Sequence, residues 1–326
     1  MALIIKPSKY KKFIEDNFLI LDREGQVPVP FRFNKVQELY MELLEKDHPD
    51  MEGVREIILK ARQQGFSSLV LALFAVDFIL RPHSISICIS HRKDATELLF
   101  RKVKFYLESY LKRLVLLHLQ KTGQWNDKWE EETKKATVEH LFTEWNKNFF
   151  KSDNKNMIEN ATNGAMFYIG TAGTKVGGRG GSARNIHFSE AAFYQDTELI
   201  TAQEIIVGTT QQVPQGHGMV FIESTANGEG NFYHAEWERS QPGGNGSVYI
   251  PRFFGWQEFY SQDWVDEKKK EFPNEKMWKQ EYPGNPDEAF ITSGEPFFDV
   301  MMLDAMQKER IVPVEFGRIL PDGNMQ

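Results

Sequence analysis

Residues 54–80 read VREIILKARQQGFSSLVLALFAVDFIL, and this stretch decides the fold. Arg55 to Leu59 carries the β-branched pair Ile57-Ile58, as a buried strand does, while Ser67 to Leu80 is rich in Leu and Ala and long enough for a buried helix. Between them, Lys60-Ala61-Arg62-Gln63-Gln64-Gly65-Phe66-Ser67 has the length and the closing Gly-x-Ser of a nucleoside-triphosphate loop. In such a loop the backbone N–H groups at the helix start wrap a polyphosphate, the glycine lets the backbone approach it, and the hydroxyl ligates Mg²⁺. Gly65 and Ser67 fill those last two roles, with Gln63, Gln64, Phe66 and Ser68 around them. The usual lysine is missing, because Phe66 stands in its slot. Lys60, at the front of the loop, can reach the phosphates from the other end, and Arg62 adds a second cation. The plain alternative is a strand, a turn and a helix with two surface cations.

The chain has 326 residues, 41% hydrophobic, 13% aromatic and 26% charged, the profile of a soluble globular protein with one large domain and a smaller one. Its longest apolar run, Leu69 to Leu80, is broken by Asp77 and falls short of the roughly 18–20 residues that span a bilayer. The opening MALIIKPSKYKK lacks the apolar core and cleavage site of a secretory signal. One cysteine, Cys88, excludes an internal disulfide and fits a reducing cytoplasm. A net charge of −7 gives no global electrostatic footprint for nucleic acid, so any DNA contact must be local.

Upstream, residues 1–30 read as an irregular lead-in with one short helix. Phe31 to Gln37 then opens an amphipathic helix with Val36, Leu39, Tyr40 and Leu43 on one face. Gln37 has an amide able to donate to and accept from an adenine edge; an outward-facing glutamine is the plainer reading. Downstream, His83 to Ser90 alternates as a second strand. It ends in a basic tip, His91-Arg92-Lys93, suited to DNA or simply to a solvated helix start. A long helix from Asp94 to about Leu119 and a polar insertion over 120–155 follow. Asn163-Gly164 marks a two-residue hairpin turn inside 156–169, and 170–181 is a glycine-rich loop.

The second decisive stretch is Arg184-Asn185-Ile186-His187-Phe188-Ser189-Glu190-Ala191-Ala192. Phosphate-loop ATPases place an apolar strand beside the phosphate-loop strand, ending in a Mg²⁺-organising Asp and a water-polarising Glu. Glu190 takes the second role. Ser189 stands in the first, where a hydroxyl can orient a metal-bound water but brings no charge. A third strand, Gly218 to Glu223, runs into Ser224-Thr225-Ala226-Asn227-Gly228, whose hydroxyls can meet a γ-phosphate or the catalytic Glu; a strand-end turn uses the same residues. From 241 onward the composition turns aromatic and reaches Gln280-Glu281-Tyr282-Pro283 and Glu288-Ala289-Phe290.

A lysine displaced to the front of the loop, Arg-Gln and Gly-x-Ser after it, the Glu-Ala-Ala ending and the Gln-Glu-Tyr-Pro…Glu-Ala-Phe run together resemble the large terminase subunits, the genome-packaging motors of tailed bacteriophages. The resemblance covers roughly Phe31 to Asp299. It implies an α/β, ASCE/RecA-like P-loop ATPase with a mostly parallel sheet flanked by helices, divided into a core over 31–240, a lid over 241–300 and a linker-like tail over 301–326. Gln37 would then face adenine, Lys60 and Arg62 the phosphates, Ser67 and Ser189 the Mg²⁺, Glu190 the water, and Ser224-Thr225 the coupling position. Arg179, in an Arg-Gly pair ahead of the acidic strand at the family's spacing, would be the arginine finger offered to a neighbouring subunit. ATP and Mg²⁺ are the implied cofactors. Double-stranded DNA, the portal protein of the procapsid and the small terminase subunit are the implied partners, in the cytoplasm of an infected bacterium, with a ring when assembled, a monomer in isolation and no membrane contact. The clustered aspartates of a terminase nuclease do not follow Asp299, so no DNA cleavage is expected from this chain. A helicase-like remodelling ATPase and a non-hydrolysing nucleotide-sensing scaffold are the competing readings.

Overall fold

A computed structural model describes residues 5–22, 27–173 and 182–290. Helix α1 (Pro7–Asn17) and a ribbon of β1 (Leu19–Leu21) and β2 (Pro28–Pro30) precede α2 (Lys35–Asp47), β3 (Val54–Lys60), α3 (Phe66–Leu80), β4 (Ile85–Ser90), α4 (Lys93–Lys121) and α5 (Glu131–Phe149). Then come β5 (Phe150–Asp153), β6 (Met157–Asn160), β7 (Met166–Thr171), β8 (Asn185–Ser189), α6 (Ala202–Thr210), β9 (Met219–Ser224), α7 (Phe232–Ser240) and β10 (Ile250–Phe254). Short helices α8 (Gln262–Lys269), α9 (Glu275–Glu281) and α10 (Pro286–Ala289) follow.

One eight-stranded sheet runs β10-β3-β9-β8-β4-β7-β6-β5. Its strands are parallel from β10 to β7, while β6 and β5 are antiparallel additions. Both faces are covered, as a parallel sheet requires. Ile58, Cys88, Met219 and Phe221 point into a core shared with α1–α5, and the intervening Ile57, Leu59, Ile87, Ile89, Val220 and Ile222 point into a second core with α6 and α7. Such alternation is what a period of two gives a strand buried on both sides.

Four expectations change here. The acidic strand β8 does not lie beside β3, because β9 is hydrogen-bonded between them. The core sheet does not stop at Ser240, since β10 pairs with β3 in register Ile250↔Glu56 to Phe254↔Lys60; its short aromatic run looks like lid sequence only because an edge strand carries no distinctive pattern. The buried face of α2 is Val36, Gln37, Tyr40, Met41 and Leu44, whereas Leu39 is exposed. The 37/41/44 spacing belongs to one helix face, so Gln37 goes inward with its apolar neighbours. The β6–β7 hairpin forms, but its loop spans 161–165 instead of two residues.

At the edge of the sheet opposite the phosphate loop, Asp77 of α3 is fully buried. It accepts from Arg81 Nε (2.8 Å), Arg184 Nε (3.1 Å), Asn185 Nδ2 (2.9 Å) and the Tyr10 hydroxyl. The lead-in helix α1 is thereby tied to α3 and β8. Gly218, at φ 58°, is required at the same edge, because a Cβ would sit 1.9 Å from the Arg184 carbonyl oxygen. Removing the carboxylate would leave buried guanidinium groups short of a counter-charge. Asp77→Ala is therefore expected to lower stability by about 3–5 kcal/mol in urea unfolding, and a loss near zero would show the network to be dispensable.

Candidate active site

The carboxyl ends of β3, β8 and β9 meet at one cluster of side chains. Lys60, the last residue of β3, is buried, and its Nζ lies 3.0 Å from Glu190 Oε1 and 3.4 Å from Glu223 Oε2. Burial alone would pull the Lys60 pKa down, but the two carboxylates outweigh it and hold the pKa above the ordinary lysine value. Burial likewise pushes Glu223 up, yet Lys60, His187 and Ser67 together bring its pKa well below the carboxylate range. Glu223 is the most connected acid here: Oε1 accepts from Ser67 Oγ (2.5 Å), Ser189 Oγ (3.0 Å) and His187 Nε2 (3.2 Å). Cys88 Sγ lies 3.7 Å from His187 Nδ1, and burial keeps that thiol protonated, so it donates there and leaves Nε2 as the donor to Glu223.

Glu190 follows β8 at φ 53°, a left-handed backbone that non-glycine residues rarely adopt and that costs free energy unless function repays it. The turn aims its carboxylate back across the strand tips. Oε2 accepts from Ser224 Oγ (3.3 Å) and the Thr225 N–H (3.4 Å), and Ser224 Oγ in turn accepts from the Ala192 N–H (3.2 Å). Glu190 and Thr225 line a cavity of about 610 Å³ together with Arg62, His91, Arg92 and Asn227. The basic tip after β4 thus faces this cavity.

The phosphate loop is braced from two sides. Gln37 Nε2 donates to the Gly65 carbonyl (2.9 Å) and its Oε1 accepts from the Asn34 N–H (3.0 Å), closing a capping box with Asn34. A Cβ on Gly65, at φ 85°, would lie 2.8 Å from Gln37 Nε2. On the other side the Ala61 N–H donates to the Phe254 carbonyl, the Tyr260 hydroxyl to the Arg62 carbonyl, and Gln64 Nε2 to the Gly255 carbonyl. The Arg62 guanidinium pairs with Glu281 at 2.9 Å. No side chain caps α3, so its first N–H groups remain for an anion. These uncapped donors, the Ser67 hydroxyl, Lys60 and the buried carboxylates fit a magnesium–polyphosphate group in kind.

No family model and no curated protein matches the sequence. Among solved structures, the HK97 bacteriophage large terminase matches with a TM-score of 0.57 at 11% identity, covering 86% of this chain and 55% of that one. The Thermus phage P74-26 large terminase ATPase domain gives a TM-score of 0.46 at 15% identity, covering 73% and 88%. The chain has the large terminase fold.

On that terminase fold the structure brings together Lys60, Ser67, Ser189, Glu190, Ser224 and Thr225. Gln37 is 3% exposed with its amide oxygen and an amide N–H engaged, so it positions the loop instead of facing adenine. The Phe66 side chain packs between Tyr40 and Phe254, leaving only its N–H for a phosphate, and the Gln64 side chain points toward β10. Arg62 is held by Glu281. Ser68 Oγ accepts from Lys102 Nζ (3.1 Å), a lysine of α4 that the motif reading missed. His187 has no motif spacing to mark it inside its apolar strand, and Glu223 stands out in the sequence only as an alternative acid to Glu190. Arg179 lies outside the described residues.

Lys60 is the charge that most lowers the pKa of Glu223. In the parent, Glu223 has a depressed pKa and contributes stability above its unfolded value of about 4.3, stability that is lost as pH falls through the folded value. In Lys60→Met, burial would dominate and raise the folded pKa above the unfolded one, so stability would fall as pH rises. The variant's deficit should widen from pH 4 to pH 7 by about 1.4 kcal/mol per unit that the pKa rises. Urea unfolding at the two pH values checks this, and an equal deficit at both would contradict it.

Proposed function

We propose that this chain is the ATP-hydrolysing motor domain of a viral DNA-packaging terminase, turning hydrolysis into movement of double-stranded DNA into a procapsid. The observation that carries the reading is Glu190, held in a left-handed turn at a cavity wall between Lys60 and the Ser224-Thr225 tip. Magnesium, bound with the nucleotide, would neutralise charge on the phosphates, with Ser67 among its holders. The chain's own groups supply the rest. The α3 N-terminus receives the polyphosphate, and Lys60 exchanges its carboxylate partners for phosphate oxygens. Glu190, released from the ammonium, is then free to accept the proton of an attacking water. Because Ser224 and Thr225 bind the same carboxylate, its position is reported to the end of β9.

Within this proposal the core covers 31–240 together with β10, the rest of 241–300 belongs to the lid, 301–326 is a linker-like tail, and Arg179 acts across a subunit boundary in an assembled ring. The partners would be the portal, the small terminase subunit and DNA, in the cytoplasm of an infected bacterium. Among the described residues, no helix is long and apolar enough to cross a membrane. A nucleotide-sensing scaffold is the second reading, favoured by Phe66 and Ser189 standing where charged residues are usual.

The purified chain should hydrolyse ATP in a Mg²⁺-dependent manner. Glu190→Gln should still bind ATP while losing turnover by roughly 10²-fold or more. Parent protein that binds nucleotide and never hydrolyses it, even with portal and DNA present, would leave the scaffold reading standing.

Arg179 is tested by complementation. Arg179→Ala and Glu190→Ala proteins, each inactive alone, should recover activity when mixed under assembling conditions, since a finger in trans contributes on the order of 10³-fold or more. A mixture as inactive as its components would place Arg179 in another role.

A further inference from the structure

The acidic strand ends in Ser189, so the position that normally organises magnesium carries no charge, and the structure shows where that charge has gone. Ser189 is registered directly opposite Glu223 on the neighbouring strand β9. Its hydroxyl donates to Glu223 Oε1, the same oxygen that accepts from the hydroxyl of Ser67 in the phosphate loop. Glu223 is fully buried, and Oε2 has no hydrogen-bond donor, although Lys60 Nζ is 3.4 Å away. A buried carboxylate whose ammonium partner turns to phosphate needs another cation in its place. Magnesium takes hard oxygen ligands and is commonly held by one or two carboxylates with substrate phosphates and water completing the shell.

We propose that Glu223, one strand over from its usual place, supplies the carboxylate that organises the nucleotide's magnesium, with Ser67 beside it and Ser189 and His187 as positioning residues. This rests on the ATPase reading above. Glu190 remains the water-activating acid, and the two carboxylates have separate duties. Oε1 is fixed by three donors, which leaves Oε2 on the side of Lys60. His187, itself oriented by the Cys88 thiol, keeps the carboxylate from rotating.

The test is metal-dependent nucleotide binding, which does not require turnover. Fluorescent ADP is titrated onto the parent, Glu223→Gln, and the double variant Glu223→Gln/Ser189→Asp, without metal and across a Mg²⁺ series; Mn²⁺ binding is followed in parallel by electron paramagnetic resonance. In Glu223→Gln, the half-saturating Mg²⁺ concentration should rise by about tenfold or more, read against that variant's own metal-free binding. Ser189→Asp should restore it in the double variant, because the carboxylate returns across the register pair. An unchanged metal dependence in Glu223→Gln, or a loss that Ser189→Asp does not rescue, overturns the proposal. If Glu223→Gln does not fold, the parent labelled with glutamate ¹³C-carboxyl answers instead. Mn²⁺–ADP should broaden the carboxyl resonances of Glu190 and Glu223, and the second should remain, and still broaden, in Glu190→Gln; no second broadened resonance refutes the assignment. A parent that binds no nucleotide under any condition would sink the ATPase reading itself, an outcome separate from these.

Discussion

One buried ammonium group organises the working end of this molecule. Lys60 ends the phosphate-loop strand with two carboxylates within 3.4 Å, one beyond β8 and one inside β9. A buried lysine without partners would give up its charge, and burial would push the Glu223 carboxyl up without Lys60 beside it. Each group therefore requires the others, and the three strand tips must meet in register for any of them to be tolerated. The parallel order β3-β9-β8 is the arrangement that makes this meeting possible.

The unusual residues of the phosphate loop become coherent around this centre. A lysine after Gly65 would emerge at the first position of α3, where the side chain enters a cage of Tyr40 and Phe254. Phenylalanine suits that cage and an ammonium group does not, so the cation is provided one strand end earlier. Gln37 and Gln64 then use their amides to hold the loop from α2 and from the β10 side. Brackets of this kind keep uncapped N–H groups pointing in one direction without needing a ligand to order them.

The same loop is joined to the C-terminal helices. Ala61 packs with Tyr260, Val265, Trp278 and Tyr282, and Arg62 is tied to Glu281 through both its backbone N–H and its guanidinium. Any nucleotide that draws Arg62 toward phosphate must compete with Glu281, a half-exposed pair whose own contribution is modest. Ligand binding and the position of these helices are consequently linked through one side chain.

From the sequence alone, alternation and apolar runs marked the strands and helices, the resemblance to large terminases implied a mostly parallel sheet between helices, and the loop from Lys60 to Ser67 with Glu190 and Ser224-Thr225 named the candidate site. Those features are local, carried by period and short spacing. Strand order was not legible, because nothing in residues 185–189 or 219–224 states which of them lies next to β3; that depends on pairing between segments far apart in the chain. Gln37 could be placed on a helix but not on its buried face until α3 and β10 packed against it. Glu223 and His187 look like interruptions in apolar strands, and only the register Ser189↔Glu223 and His187↔Phe221 turns them toward Ser67. Tertiary packing decided their meaning, because a polar residue inside a strand acquires a chemical role only from the groups that the neighbouring strand and the facing helix bring within hydrogen-bonding distance.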